Sequence, residues 1–133
     1  MNAMALLSPM AAQRSSTTNE AVTCGHRGTL SWTVHRQEHR VRIMLDGELD
    51  TATAPALDVS VRPNAEAGGT DLVIDLAGLR FCDCAGLALF LRWQSLTAVT
   101  GGALSLAAPS RILRRLLAIT GPLDLLTLAD RGR

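Results

Sequence analysis

Apolar and polar residues alternate along several short segments of the chain, which is the pattern of strands with one buried face. In the clearest case, Val41, Ile43 and Leu45 alternate with Arg42, Met44 and Asp46. Segments with helical spacing lie between these strands. The predicted strands are Ser31–Val34, His39–Leu49, Asp71–Ala77, Ala103–Ala107 and Leu125–Leu128, and the predicted helices are Thr51–Val61, Cys84–Thr100 and a helix capped by Ser110 that ends at Thr120 before Gly121 and Pro122.

The predicted order, β-β-α-β-α-β-α-β, is typical of an α/β domain with a mixed, mostly parallel sheet joined by right-handed crossovers. Strands that alternate apolar with polar residues favour helices mainly on one face of the sheet, because a doubly covered sheet has near-continuous apolar strands. No GxGxxG stands in the chain, which argues against a Rossmann-type arrangement. Residues 1–28, where Cys24 and His26 lie, lack sustained periodicity and are predicted to be a mostly disordered tail, which leaves 29–130 as the domain.

The composition narrows the class of protein. The chain has 133 residues, of which 47% are apolar, and a formal net charge of +1. Neither a basic excess for nucleic acid nor an acidic tail is present. No apolar run approaches the roughly 20 residues that span a bilayer, and the odd count of three cysteines suits a reduced chain. We therefore expect a cytoplasmic protein without direct contact to nucleic acid or membrane.

The stretch LRFCDCAGLALF, residues 79–90, reads as a strand end, a tight corner and a helix start. Asp83 stands at the N-cap position, where a carboxylate bonded to backbone amides contributes about 1 kcal/mol. Gly86 costs helix stability relative to alanine, and either a closely approaching partner or local packing would explain it. Cys82 is expected to face the core.

The predicted helix after this corner is apolar on two sides. Leu87, Phe90 and Leu91 form a stripe that should pack on the sheet. A second stripe contains Leu89, Trp93 and Leu96. It is either additional core or an exposed patch anchored by Trp93, with Arg92 at its rim, and the sequence leaves both interpretations open.

Motifs for catalysis are not found. A C-x-C pair supplies too few ligands for a metal site. A cysteine-based phosphatase would need Arg six positions after its cysteine, and Phe90, Ala88 and Leu30 stand at those positions. No Ser/His/Asp set has a supporting spacing. We therefore predict a binding protein that is not an enzyme and needs no cofactor.

Three segments in register resemble the STAS domains of bacterial anti-sigma-factor antagonists. LDGELDTATAPAL (45–57) resembles the family's G-E-L-D followed by a helix. DLVIDLAGLRFCDCAGL (71–87) resembles its strand followed by F-x-D-S-S-G-L. GGALSLAAPSRILRRLLAITGPLDLL (101–126) resembles its last strand and helix. The resemblance covers about residues 30–130.

The resemblance implies a binding role toward an anti-sigma factor that is also a serine kinase. In the family, that kinase phosphorylates the first serine after the motif aspartate and thereby releases the antagonist. Here Cys84 occupies the phosphoacceptor position and Ala85 the second hydroxyl position. The partner-binding residues implied by the resemblance and by the helix pattern are Asp50, Asp83, Cys84, Ala85, Gly86, Leu89 and Trp93.

A thiol in place of serine leaves three interpretations of Cys84. It keeps the protein in its binding-competent form, it is packing only, or it is a redox switch in which oxidation adds negative charge. The corresponding functions are an antagonist without the phosphorylation switch, an adaptor subunit of a lipid-transport ATPase or sensory complex, and a thiol sensor. The sequence names neither the partner nor the oligomeric state.

Overall fold

Six strands and three helices alternate along the part of the chain that the computed structural model describes, residues 21–120 and 127–128. In chain order they are β1 (Ala21–Arg27), β2 (Leu30–Arg36), β3 (Arg40–Leu49), α1 (Ala54–Ala65), β4 (Asp71–Cys82), α2 (Cys84–Val99), β5 (Leu104–Ala107), α3 (Arg111–Thr120) and β6 (Thr127–Leu128).

The strands form one sheet in the order β1-β2-β3-β4-β5-β6. β1, β2 and β3 pair antiparallel, and β3 to β6 pair parallel. Each crossover therefore moves one strand further in the same direction, which places successive helices on the same face of the sheet. The predicted α/β class with a mixed, mostly parallel sheet is confirmed.

The core lies between one face of the sheet and the helices. Alternate residues of β2, β3, β4 and β5 meet apolar residues of all three helices there, among them Trp32, Ile43, Ile74, Leu106, Leu57, Phe90 and Leu117. On the opposite face of the central strands, Met44 and Asp46 are exposed, and Arg42 forms an ion pair with Asp75 at 2.8 Å. The alternation of apolar and polar residues along the strands thus reflects a sheet that the helices cover on one face.

The N-terminal boundary of the domain is corrected by β1. Residues 21–27, predicted to belong to the tail, pair with β2 along their whole length, from Ala21 opposite Arg36 to Arg27 opposite Leu30. β1 is an edge strand whose side chains are half-buried or exposed, so no alternation marks it in the sequence. Residues 1–20 lie outside the described residues, as do the predicted helix stop at 121–122, the strand residues 125–126 and the domain end at 129–130.

β4 is five residues longer than predicted, because the pairing with β3 shifts along its length. Gly47 has a φ of +112°, and a side chain there would collide with the carbonyl oxygen of Thr29. Irregularities on both sides of Leu45 and at Gly47 move the register. The buried positions of β4 consequently fall at Leu76, Leu79 and Cys82, and the alternation that predicts a strand stops before the strand does.

α1 begins and ends later than predicted. Residues 51–53 form a turn, and the helix starts at Ala54, with Pro55 in its first turn. It continues through Pro63 and ends at Ala65. Proline removes one backbone donor, and Pro63 is exposed and only two residues from the helix end, so the helix loses little there.

Candidate functional site

The carboxyl ends of β3 and β4 lie side by side and set the geometry of the corner. Leu49 and Cys82 are register partners, and the Asp83 N–H donates to the Leu49 carbonyl at 3.2 Å. Asp50 and Asp83 follow these strand ends directly. The sequence therefore brings the two aspartates of the predicted site to one end of the sheet, each just before a helix.

Asp83 caps α2, as predicted. Its Oδ1 accepts the backbone N–H of Ala85 at 2.9 Å and that of Gly86 at 3.3 Å. The residue itself has extended backbone geometry, which is usual at an N-cap. A carboxylate here also suits the positive end of the helix dipole. The amides that could hold an external anion at this helix start are thus already engaged by Asp83.

Asp50 performs the corresponding task before α1. Its Oδ1 accepts the N–H groups of Ala52 and Thr53, both at 3.0 Å, and its own N–H donates to Thr53 Oγ1 at 3.0 Å. Thr53 occupies the N-cap position, but its side chain makes no capping bond and donates instead to the Glu48 carbonyl at 3.0 Å.

The two cysteines of the corner occupy opposite environments. Cys84 is exposed, whereas Cys82 is buried in the core, as predicted. Burial raises the pKa of the Cys82 thiol to about 12, with smaller electrostatic contributions from Asp83 and Cys84. Cys84, which was predicted to occupy the phosphoacceptor position, is therefore the accessible thiol of the pair.

Gly86 is required by packing inside the domain. A Cβ at this position would lie 2.5 Å from Cys82 Sγ and 2.8 Å from Leu49 Cδ2, both too close for real contacts. Gly86 is itself buried. Of the two explanations left open by the sequence, the structure supports close packing of α2 on the ends of β3 and β4, and Gly86 presents no surface to a partner.

Trp93 is not part of an exposed patch, and that interpretation of the second stripe is wrong. Its side chain is 0% exposed, and its Nε1–H donates to Asp58 Oδ1 at 2.8 Å. Leu89 is 6% exposed and Leu96 packs half-buried against the core. The second stripe faces α1, because the two helices lie side by side on the same face of the sheet.

Asp58 is a site residue that the sequence reading missed. Its buried carboxylate also pairs with Arg62 and, at 3.5 Å, with Arg92. Burial alone would raise the pKa of Asp58, but hydrogen bonds from Arg62 and Trp93 and the charges of both arginines leave it below its ordinary value. The sequence does contain a signal for this role, because Asp58 is an acidic residue within the apolar stripe of α1. It stands between Leu57 and Val61 and four residues before Arg62.

A groove of about 340 Å³ runs between the first turns of α1 and α2. It begins next to Cys84 in the chain and passes along α2 to Arg92. Its apolar lining consists of Ala54, Pro55, Ala85, Ala88 and Leu89, and its polar lining of Thr51, Asp58 and Arg92. Of the predicted site, Ala85 and Leu89 line this groove, Asp50, Asp83 and Cys84 belong to the corner, and Gly86 and Trp93 are interior.

Across 21–120 and 127–128, no group of three or more His, Cys, Asp or Glu side chains could hold a metal ion. No helix in that part of the chain has the length and apolar character needed to cross a membrane.

Comparison with known proteins agrees with the geometry. A family model described as "Mlab, STAS domain" matches residues 32–127. The anti-sigma-B factor antagonist of Bacillus subtilis is 33% identical over 99 residues, which cover 74% of this chain and 90% of that protein. An anti-sigma factor antagonist from Mycobacterium paratuberculosis has a TM-score of 0.67 at 24% identity, over 74% of this chain and 84% of that one. The anti-sigma factor antagonist SpoIIAA in its unphosphorylated form has a TM-score of 0.62 at 24% identity, over 75% and 89%. The chain therefore belongs to the STAS domain family, and the three similar proteins named here are anti-sigma factor antagonists.

Proposed function

We propose that this protein is an anti-sigma factor antagonist that binds a serine-kinase-type anti-sigma factor through the corner and the α1–α2 groove. The observation that carries the proposal is the exposed Cys84 at the start of a capped helix, beside a groove lined by small apolar side chains. The 33% identity to the anti-sigma-B factor antagonist supports the same role. The contact residues are then Asp50, Asp83, Cys84, Ala85 and Leu89, with Trp93 acting only from the interior.

The proposed protein lacks the usual phosphorylation switch. Cys84 offers a thiol where a serine kinase needs a hydroxyl, and Ala85 offers no acceptor. ATP should therefore leave the complex with the anti-sigma factor intact, and the protein remains in its binding-competent form.

The test is a binding and phosphotransfer assay with the kinase-type anti-sigma factors of the source genome, each purified singly. Wild-type protein should bind one of them with the same affinity with and without ATP. The Cys84→Ser variant should bind equally well before ATP is added and gain phosphate afterwards, because serine is the nearly isosteric residue that the kinase uses. Loss of the wild-type complex on addition of ATP would contradict the proposal.

The control for this assay is Cys84→Ala, which removes the thiol without supplying a hydroxyl and should behave as the wild type does with ATP. If no kinase-type protein binds and an ATP-binding-cassette ATPase co-purifies instead, the adaptor function is favoured. If mild peroxide selectively modifies Cys84 and abolishes binding that the alanine variant retains, the thiol-sensor function is favoured.

A further inference from the structure

The α1–α2 groove combines an apolar floor with one cationic edge. Ala85, Ala88 and Leu89 come from α2, and Pro55 faces them from α1. Arg92 closes the groove at the far end from Cys84, and its side chain remains 56% exposed. Such a surface has room for an apolar side chain and offers a charge beside it.

Arg92 is held at this edge from beneath by a buried carboxylate. The Asp58 side chain is 6% exposed, and its Oδ2 lies 3.5 Å from Arg92 Nη1. The other oxygen is fixed by Trp93 Nε1 at 2.8 Å, so the carboxylate cannot turn away without breaking that bond. A guanidinium carries five N–H donors, and the contact with Asp58 engages a single Nη atom of Arg92.

The charged residues that line the groove present a cation to solvent at its Arg92 end. The Asp58 carboxylate is buried, whereas the Arg92 guanidinium side chain is exposed. The acids at the other end, Asp50 and Asp83, accept backbone amides at the starts of α1 and α2, where the helix dipole contributes about half a positive charge. The groove therefore complements a carboxylate at the Arg92 end.

We propose that the α1–α2 groove takes an apolar side chain of the protein partner whose neighbouring Asp or Glu pairs with Arg92, and that Asp58 is the positioning residue for Arg92. This inference rests on the proposed function and specifies the chemistry of the partner segment. The matched control is Arg62, which shares Asp58 but does not line the groove.

The first experiment measures binding to the anti-sigma factor that the wild type binds. Arg92→Gln should weaken binding by about tenfold, as expected for losing one well-placed interfacial charge pair, and should reduce the salt dependence of the affinity. Arg62→Gln should stay within about twofold of the wild type. Equal affinity of Arg92→Gln and wild type would overturn the inference.

The role of Asp58 is tested by a double-mutant cycle. If Asp58 acts through Arg92, Asp58→Asn weakens binding of the wild type but adds nothing in the Arg92→Gln background, since the two residues then form one unit. A merely structural role would lower the affinity equally in both backgrounds. Urea unfolding of each variant shows that all are folded under the assay conditions.

A second experiment needs no protein partner and therefore separates failure of this inference from failure of the proposed function. N-acetyl-leucine and N-acetyl-leucinamide are titrated into ¹⁵N-labelled protein, and the Arg92 Nε–H and Trp93 indole resonances are followed by NMR. The acid should bind more tightly than the amide, and Arg92→Gln should remove the difference. Equal binding of acid and amide to the wild type would refute the charge pairing.

Discussion

Replacing Gly86 with alanine tests whether the corner is built by internal packing. The added methyl group would lie 2.5 Å from Cys82 Sγ and 2.8–2.9 Å from the Leu49 side chain. These two residues are the paired last residues of β4 and β3, and both are buried. Neither can move aside without disturbing the sheet end that carries Asp50 and Asp83, so the methyl group strains the domain.

The expected size follows from two opposing effects. Overpacking a well-packed core costs about 1–3 kcal/mol, and contacts this short belong to the upper part of that range. Alanine in a helix returns up to about 1 kcal/mol relative to glycine. Gly86→Ala should therefore lower the free energy of unfolding by about 1–2 kcal/mol, which at a urea m-value of about 1.5 kcal/mol/M moves the midpoint down by about 1 M.

Urea unfolding followed by tryptophan fluorescence measures this shift. Ala88→Gly, at an exposed position of the same helix, is the control that reports helix propensity without a clash. Cys82→Ala should partly rescue Gly86→Ala, because it removes the nearest atom, and the coupling should exceed about 0.5 kcal/mol. A Gly86→Ala protein more stable than the wild type would refute this account of the corner.

Two further predictions concern the groove and the thiols. Asp58→Ala should cost about 2–3 kcal/mol in urea unfolding, because the Trp93 indole N–H loses its charged acceptor in the core. Since the pKa of Asp58 is lowered in the fold, the stability advantage of wild type over Asp58→Asn should be complete above about pH 5 and shrink at lower pH; a constant difference would contradict the ion pairing. Iodoacetamide should label Cys24 and Cys84 in the native protein and Cys82 only after unfolding, as read by mass spectrometry, because Cys82 is buried with a pKa of about 12. Labelling of native Cys82 at the rate of Cys84 would contradict its burial.

The central sheet was predictable because the alternation of apolar and polar residues within each strand shows which face is buried. Val41, Ile43 and Leu45 face the helices while their neighbours face away, and period two is sufficient to identify such a strand. The corner was predictable for a similar reason, since a capping aspartate before a helix acts locally. Features that depend on a few neighbouring residues can be predicted from the local sequence.

β1 was not predicted because its conformation depends on pairing with the neighbouring strand β2. The strand is held by pairing with β2, and its side chains are half-buried or exposed without regular alternation. Gly25 lies so close to the Trp32 ring that a Cβ would come within 2.6 Å of it. Gly25, which fell within the predicted tail, is therefore required by packing against Trp32, which lies seven residues further along the chain.

The two apolar stripes of α2 show why the surface of the site could not be assigned from the helix alone. A stripe that faces another helix and a stripe that faces a partner have the same spacing, and only the neighbour distinguishes them. Trp93 carries an indole N–H that needs an acceptor when it is buried, and α1 supplies one by placing Asp58 inside its own apolar stripe. The hydrogen bond between the Trp93 indole and the Asp58 carboxylate therefore links α2 to α1. What remains at the surface is the groove of small side chains ending at Arg92. The proposed recognition therefore depends on the fit of a partner side chain between the helices and on the Arg92 charge, which the buried Asp58 carboxylate holds in place.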